Sequence, residues 1–206
     1  MTRIKICGIT SVADALAVER AGADALGLVF YPPSPRYVEL DAAAAIARAV
    51  GPFVTTVALF VNPDPALVRD VLVRVQPHLL QFHGDETPAF CAQFGHPYIR
   101  AIRVRTRADI EAGTRDFASA QGFIFDAWDD TLYGGTGRTF NWELIRDFAG
   151  PPVILAGGLR ADNLGRALAA TRPYGVDVSG GVESAPGVKD HGKVRDFVAA
   201  VRAAAG

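Results

Sequence analysis

Cysteine is scarce. Only Cys7 and Cys91 occur among the 206 residues, too few for a disulfide framework and without the companion Cys/His spacing of a zinc site. An excess of one charge is missing as well. Lys and Arg number 21 against 22 Asp and Glu, a formal charge of -1 at pH 7, so nothing marks a binder of nucleic acid or another polyanion. Long apolar runs are also absent: none reaches the roughly 18 residues a membrane helix needs. The opening MTRIKICGIT has neither an apolar h-region nor a small-residue cleavage site. These absences predict a soluble, cytoplasmic protein with no nucleic-acid or membrane partner.

What is present is enough apolar material for a large core, since 50% of residues are hydrophobic, and the length suits one domain over residues 1–206. Short β-rich runs alternate with Ala-rich amphipathic stretches, the pattern of βα units on a parallel sheet. The strand candidates are 4–7, 25–30, 54–60, 79–82, 98–104, 122–126, 152–156 and 175–179. Eight helical stretches accompany them, at 12–23, 41–50, 64–75, 87–94, 108–119, 141–148, 161–170 and 193–205. Eight βα units in this length predict an α/β fold, a single-domain (β/α)8 TIM barrel, because closure removes every unpaired edge. An open doubly wound sheet is the structural alternative.

In such a barrel the site sits at the C-terminal strand ends and the loops after them. Cys7 ends the first run, on the face of Lys5 and opposite Ile4 and Ile6, so period-two alternation points it into the mouth. A buried cysteine is often mere packing, but here Gly8 and a presumed anion site adjoin it. As a base it must be a thiolate, which the site would have to stabilise. Asp126 ends the run GFIF, where an unpaired carboxylate would be costly to bury; a loop-anchoring role is its bland alternative. Together the two suit isomerisation by proton transfer. Gly157 and Gly158 close strand seven, and Asp177, Ser179, Gly180 and Gly181 close strand eight. One glycine pair alone would read as a tight turn, whereas both pairs in these two loops predict a backbone phosphate site. The expected partner is therefore a small phosphorylated molecule. Arg36 sits in YPPSPRYV, where three prolines stiffen the loop, and it can grip a carboxylate bidentately. His83 ends strand four and either contacts substrate or holds the mouth. Asp177 reads as an anchor for the last loops, Cys91 as packing, and His78, His96 and His191 as structural or solvated.

The segments KICGIT, VFYPPSPRYV, LFVN, QFHGDE, YGGTGRTFNW, LAGGLRADN and GVDVSGGVE, each at a strand end and in this order, resemble the signature segments of phosphoribosylanthranilate isomerases. The resemblance spans nearly the whole chain. It implies an Amadori rearrangement of N-(5-phosphoribosyl)anthranilate to 1-(2-carboxyphenylamino)-1-deoxyribulose 5-phosphate in tryptophan biosynthesis, with no metal and no organic cofactor. It further implies Asp126 as general acid, Cys7 as general base, Arg36 on the anthranilate carboxylate and the four glycines on the phosphate. The loop 133–138 is then a plausible cover that excludes water. Three positions depart from the family pattern: Gly180 where a second serine is common, Phe82 where leucine is, and Asn141 where aspartate is.

Two other barrel enzymes would share the phosphate loops. The histidine-pathway Amadori isomerase uses aspartates at both positions, so Cys7 speaks against it, and a ribulose-phosphate epimerase needs a metal site that this sequence does not assemble. A non-catalytic phosphometabolite-binding protein would keep the glycine loops but has no use for an acid/base pair. Oligomeric state is open between monomer and homodimer.

Overall fold

The computed structural model describes residues 1–127 and 141–204. Eight parallel strands close into a barrel in sequence order: β1 (Arg3–Cys7), β2 (Ala25–Val29), β3 (Thr55–Phe60), β4 (Leu79–Phe82), β5 (Tyr98–Val104), β6 (Gly122–Ala127), β7 (Val153–Leu155) and β8 (Gly175–Val178). The helices are α1 (Val12–Arg20), α2 (Leu40–Ala49), α3 (Pro65–Arg74), α4 (Pro88–Ala92), α5 (Arg107–Asp116), α6 (Ala161–Thr171) and α7 (His191–Ala204). Several begin at capping side chains supplied by the mouth loops. Ser11, Asp64 and Thr87 each accept a backbone N–H of the first turn, and Thr106 forms a reciprocal box with Asp109.

Strand alternation produces two separate apolar layers. Ile4, Ile6, Leu26, Phe60, Phe82, Phe123 and Phe125 face the helices and are buried. Phe30, Phe60 and Phe82 stack along neighbouring strands at 5.5 and 6.0 Å. Phe82 thus points away from the mouth, so its departure from leucine falls on packing. Inside the barrel, Val57, Ile99, Ala101, Ile124 and Ala156 form a plug, and Cys7, Val29, Leu59 and Val61 cluster separately. The interior is a packed floor beneath the mouth.

One predicted helix is replaced. The stretch 141–148 forms only a 3₁₀ turn, Trp142–Ile145, capped by the Asn141 side-chain Oδ1 accepting from the Glu143 N–H at 3.1 Å. Asp147 takes a left-handed φ of 57°, and Gly150-Pro151-Pro152 bars continuation. Asn141 caps as an aspartate would, so that departure preserves the local structure. A second feature was not expected from sequence. After β8, a 3₁₀ turn (Gly180–Val182) leads into a small antiparallel hairpin, β9 (Glu183–Ala185) with β10 (Val188–Lys189). Among the described residues no helix is long and apolar enough to cross a membrane.

Candidate active site

The C-terminal strand ends surround a cavity of about 370 Å³ lined by Cys7, Arg36, His83, Asp126, Asp177 and both glycine loops, with Gln81 among them. Its size is in the range of small-ligand sites. All ten sequence-predicted site residues line it. A depression of about 590 Å³ at the opposite end, beside Met1, Arg172 and Tyr174, is lined by no carboxylate, cysteine or histidine side chain.

Cys7 is 6% exposed and free of any disulfide. Burial pushes its thiol up, and Asp177 adds to that, while Lys5 and Lys189 pull it back down. Lys5, two residues earlier on the same strand face, donates to Asp177 Oδ2 at 2.9 Å with both side chains buried. Asp177 therefore pairs across the β1–β8 seam instead of anchoring the last loops. Its Oδ1 has no partner among the described residues, and neither does Gln81 Oε1.

Asp126 accepts from the Ala127 N–H at 2.8 Å through Oδ1. Its Oδ2 lies 3.3 Å from His83 Nε2, without hydrogen-bond geometry. His83 Nδ1 sits 3.1 Å from Gln81 Nε2. The segment QFHGDE holds this histidine in place through a buried salt bridge. Arg100 donates to Glu86 Oε2 at 2.6 Å and to the carbonyls of Phe82 and Gly84. Glu86 in turn accepts the N–H groups of Asn62 and Gly84.

Arg36 already holds a carboxylate. Its Nε and one terminal nitrogen each donate to Glu183 at 2.8 Å, and Glu183 Oε1 also accepts from Lys189 Nζ at 2.8 Å. Burial pushes the Glu183 carboxyl up, but hydrogen bonds from Arg36 and Lys189 outweigh it and hold the group below its ordinary value. Lys189 goes the other way: burial dominates and lowers it despite Glu183. Gly8, at φ 76°, lets the Arg36 side chain lie against the β1 end; a Cβ there would stand 2.6 Å from Arg36 Cδ. Gly157 and Gly158 take φ of 83° and 60°, open to glycine far more than to other residues. Gly181 packs so tightly on the Leu159 carbonyl that a Cβ would overlap it. Ser179 Oγ donates to the Cys7 carbonyl at 3.0 Å, tying the last loop to the first strand.

Sequence reasoning passed over Lys5 and Gln81, and over Glu183 and Lys189: Gln81 lines the cavity, while Lys5 holds Asp177 and the Glu183–Lys189 pair holds Arg36 from behind it. The first two carry a legible signal, since a polar residue on the inward phase of an apolar strand must face the barrel interior. The other two lie in the unforeseen hairpin. The remaining residues sit elsewhere. Cys91 is fully buried in the helical layer, its thiol pushed up to about 12 by burial. His78 pairs with Thr56, His96 with the Pro77 carbonyl and His191 with Asp14. The glycine-rich segment 133–138 lies outside the described residues. Among the described residues no three His, Cys, Asp or Glu side chains are grouped to hold a metal ion.

Fold and site together define a class: a (β/α)8-barrel enzyme whose mouth holds a cavity lined by a cysteine, an aspartate and two glycine loops. Comparison with known proteins specifies it further. Residues 4–200 match the family described as N-(5'phosphoribosyl)anthranilate (PRA) isomerase. The chain is 52% identical over 195 residues to an N-(5'-phosphoribosyl)anthranilate isomerase of Cellvibrio japonicus, covering 95% of this chain and 91% of that one. A crystal structure of phosphoribosyl anthranilate isomerase from Thermotoga maritima superposes with a TM-score of 0.91 at 36% identity, covering 98% of this chain and 100% of that one. Another, in complex with reduced 1-(o-carboxyphenylamino)-1-deoxyribulose 5-phosphate, gives 0.87 at 36% identity with the same coverage. The chain belongs to the phosphoribosylanthranilate isomerase family.

Proposed function

We propose that the chain carries out the isomerisation its family is named for, with Asp126 as general acid and Cys7 as general base. The observation that carries the reading is their convergence on one cavity beside two glycine loops and Arg36. Asp126 protonates the ribose ring oxygen of N-(5'-phosphoribosyl)anthranilate. The C1–O bond breaks as the nitrogen lone pair forms the C1=N iminium. Cys7, as thiolate, takes the C2 proton; the C–H electrons become C1=C2 and the iminium pair returns to nitrogen. The enolamine tautomerises to the ketone as a proton leaves the C2 hydroxyl and one reaches C1. No oxidant or cofactor enters the balance.

The backbone of Gly157, Gly158, Gly180 and Gly181 holds the phosphate, and Ser179 and His83 close the wall. Arg36 grips the anthranilate carboxylate through the terminal nitrogen left outside its fork with Glu183. The unpartnered Oδ1 of Asp177 accepts from a substrate hydroxyl. We place this activity in a single domain over 1–206, working in the cytoplasm as a monomer or homodimer on a small phosphorylated substrate. Freshly prepared phosphoribosylanthranilate mixed with purified protein tests it. Loss of the anthranilate-type fluorescence at a rate proportional to protein is expected, and an unchanged uncatalysed rate would refute the reading.

A further inference from the structure

We propose that Lys5 is a positioning residue for the isomerisation: its buried ammonium, clamped by Asp177, stands beside Cys7 and supplies the positive charge that the sulfur needs to work as a thiolate. The proposal rests on the reading of Cys7 as base.

Strand register brings the three groups together. Lys5 and Cys7 share the inner face of β1, Lys5 pairs in register with Asp177 on β8, and Cys7 pairs with Gly27 on β2. Gly27 has no side chain, and the notch this leaves is filled from two sides. A Cβ built there would lie 2.7 Å from Cys7 Sγ and 3.2 Å from Lys5 Nζ. Sulfur and ammonium therefore border the same small space, which any larger residue on β2 would occupy. The lysine has no route to solvent, being 4% exposed, and a buried ammonium is retained only where its charge is answered.

Charge counting around the sulfur gives the same result. Lys5, Arg36 on the loop after β2 and Lys189 on β10 are cations, whereas Asp177 on β8 and Glu183 on β9 are the carboxylates paired with them. Three positive groups face two negative ones. Asp126 on β6 and His83 after β4 complete the wall. A Cys7 thiolate brings these five charged groups to neutrality. The burial that pushes the thiol up is opposed first by Lys5 and then by Lys189.

A lysine that merely braced the barrel would give a different signature from one that acts through its charge. Lys5→Met and Asp177→Asn break the same ion pair, yet remove opposite charges from beside the sulfur. The test is the pH dependence of iodoacetamide alkylation in the full-length chain, with the Cys7 peptide followed by mass so that Cys91 does not contribute. Below the midpoint, alkylation should slow about tenfold or more in Lys5→Met and accelerate in Asp177→Asn, since an opposite charge at this range moves a thiol by about one unit or more. Lys5→Arg should keep the midpoint near that of the parent. Shifts in the same direction for the first two variants, or no shift in either, would overturn the proposal. If Lys5→Met does not fold, Asp177→Asn decides alone, and an unchanged or raised midpoint refutes it. Turnover of Cys7→Ser reads the base assignment separately, so failure of one leaves the other distinguishable.

Discussion

Replacing Glu183 by glutamine tests how the carboxylate-gripping arginine is held. Glu183 is 8% exposed and accepts three hydrogen bonds, two from Arg36 and one from Lys189. The amide keeps the shape but loses the charge and presents two donors to a site made of donors. Breaking one side of a buried ion pair costs about 3–5 kcal/mol. The lower end applies here, because burial already lowers Lys189 and lets it shed its proton once the carboxylate is gone. About 3 kcal/mol corresponds to a fall in Tm of about 6–12 °C for a chain of this size. Binding should weaken separately. An Arg36 no longer held must be ordered by the substrate, at about 0.5–1.5 kcal/mol for one long side chain, or a KM about 2- to 13-fold higher. The variant removes one carboxylate and, with the Lys189 proton, one cation, so the net charge around Cys7 is unchanged and kcat should stay within a factor of about three. Steady-state fluorescence kinetics and a circular-dichroism melt give both numbers from one preparation. A lowered Tm with unchanged KM would show that Glu183 braces the hairpin without orienting Arg36.

Glu86→Gln leaves Arg100 buried against a neutral partner, and a thermal melt should show a fall of about 6–20 °C from the same 3–5 kcal/mol range; a loss under 2 °C would contradict the buried-pair reading. Gly180→Ser adds a hydroxyl whose Cβ sits 3.3 Å from the nearest Arg36 nitrogen. One more phosphate donor should tighten competitive inhibition by inorganic phosphate about 2- to 10-fold, and weaker inhibition would place the phosphate elsewhere. Glu183 and Asp24 both lie below their ordinary values in the folded chain: burial raises each, but Arg36 and Lys189 outweigh it at Glu183, and Arg3, the Ile4 N–H and Arg202 at Asp24. Their stabilisation is fully present above the unfolded carboxylate value of about 4.3 and is lost as pH falls through the folded values. Urea midpoints between pH 7 and 3 should therefore drop more steeply for the parent than for Glu183→Gln; parallel curves would deny Glu183 that role.

Much of the barrel was legible because its two periods are clean. Alternation along 4–7 put Cys7 inward and Ile4 and Ile6 outward, as observed, and each apolar run ends where the mouth begins. The sixth predicted helix failed at 141–148 because local breakers overrode the apolar pattern: a left-handed Asp147 and Gly-Pro-Pro allow only a 3₁₀ turn. The hairpin after β8 was hidden for another reason. Its strands are three and two residues long, too short to show a period. With it went the partnership of Arg36 with Glu183 and the burial of Lys189, which depend on residues about 150 positions apart. Lys5 could have been noticed. An ionisable residue on the inner phase of an apolar strand has nowhere to go but the barrel interior.

The central claim is that Cys7 and Asp126 move the protons, and paired kinetics on Cys7→Ser and Asp126→Asn test it most directly. Each variant should fold with the parent's circular-dichroism spectrum, bind with a KM within a few-fold of the parent, and lose kcat by about 10²-fold or more, the scale of general acid–base catalysis. Near-parental turnover in either variant would contradict the account.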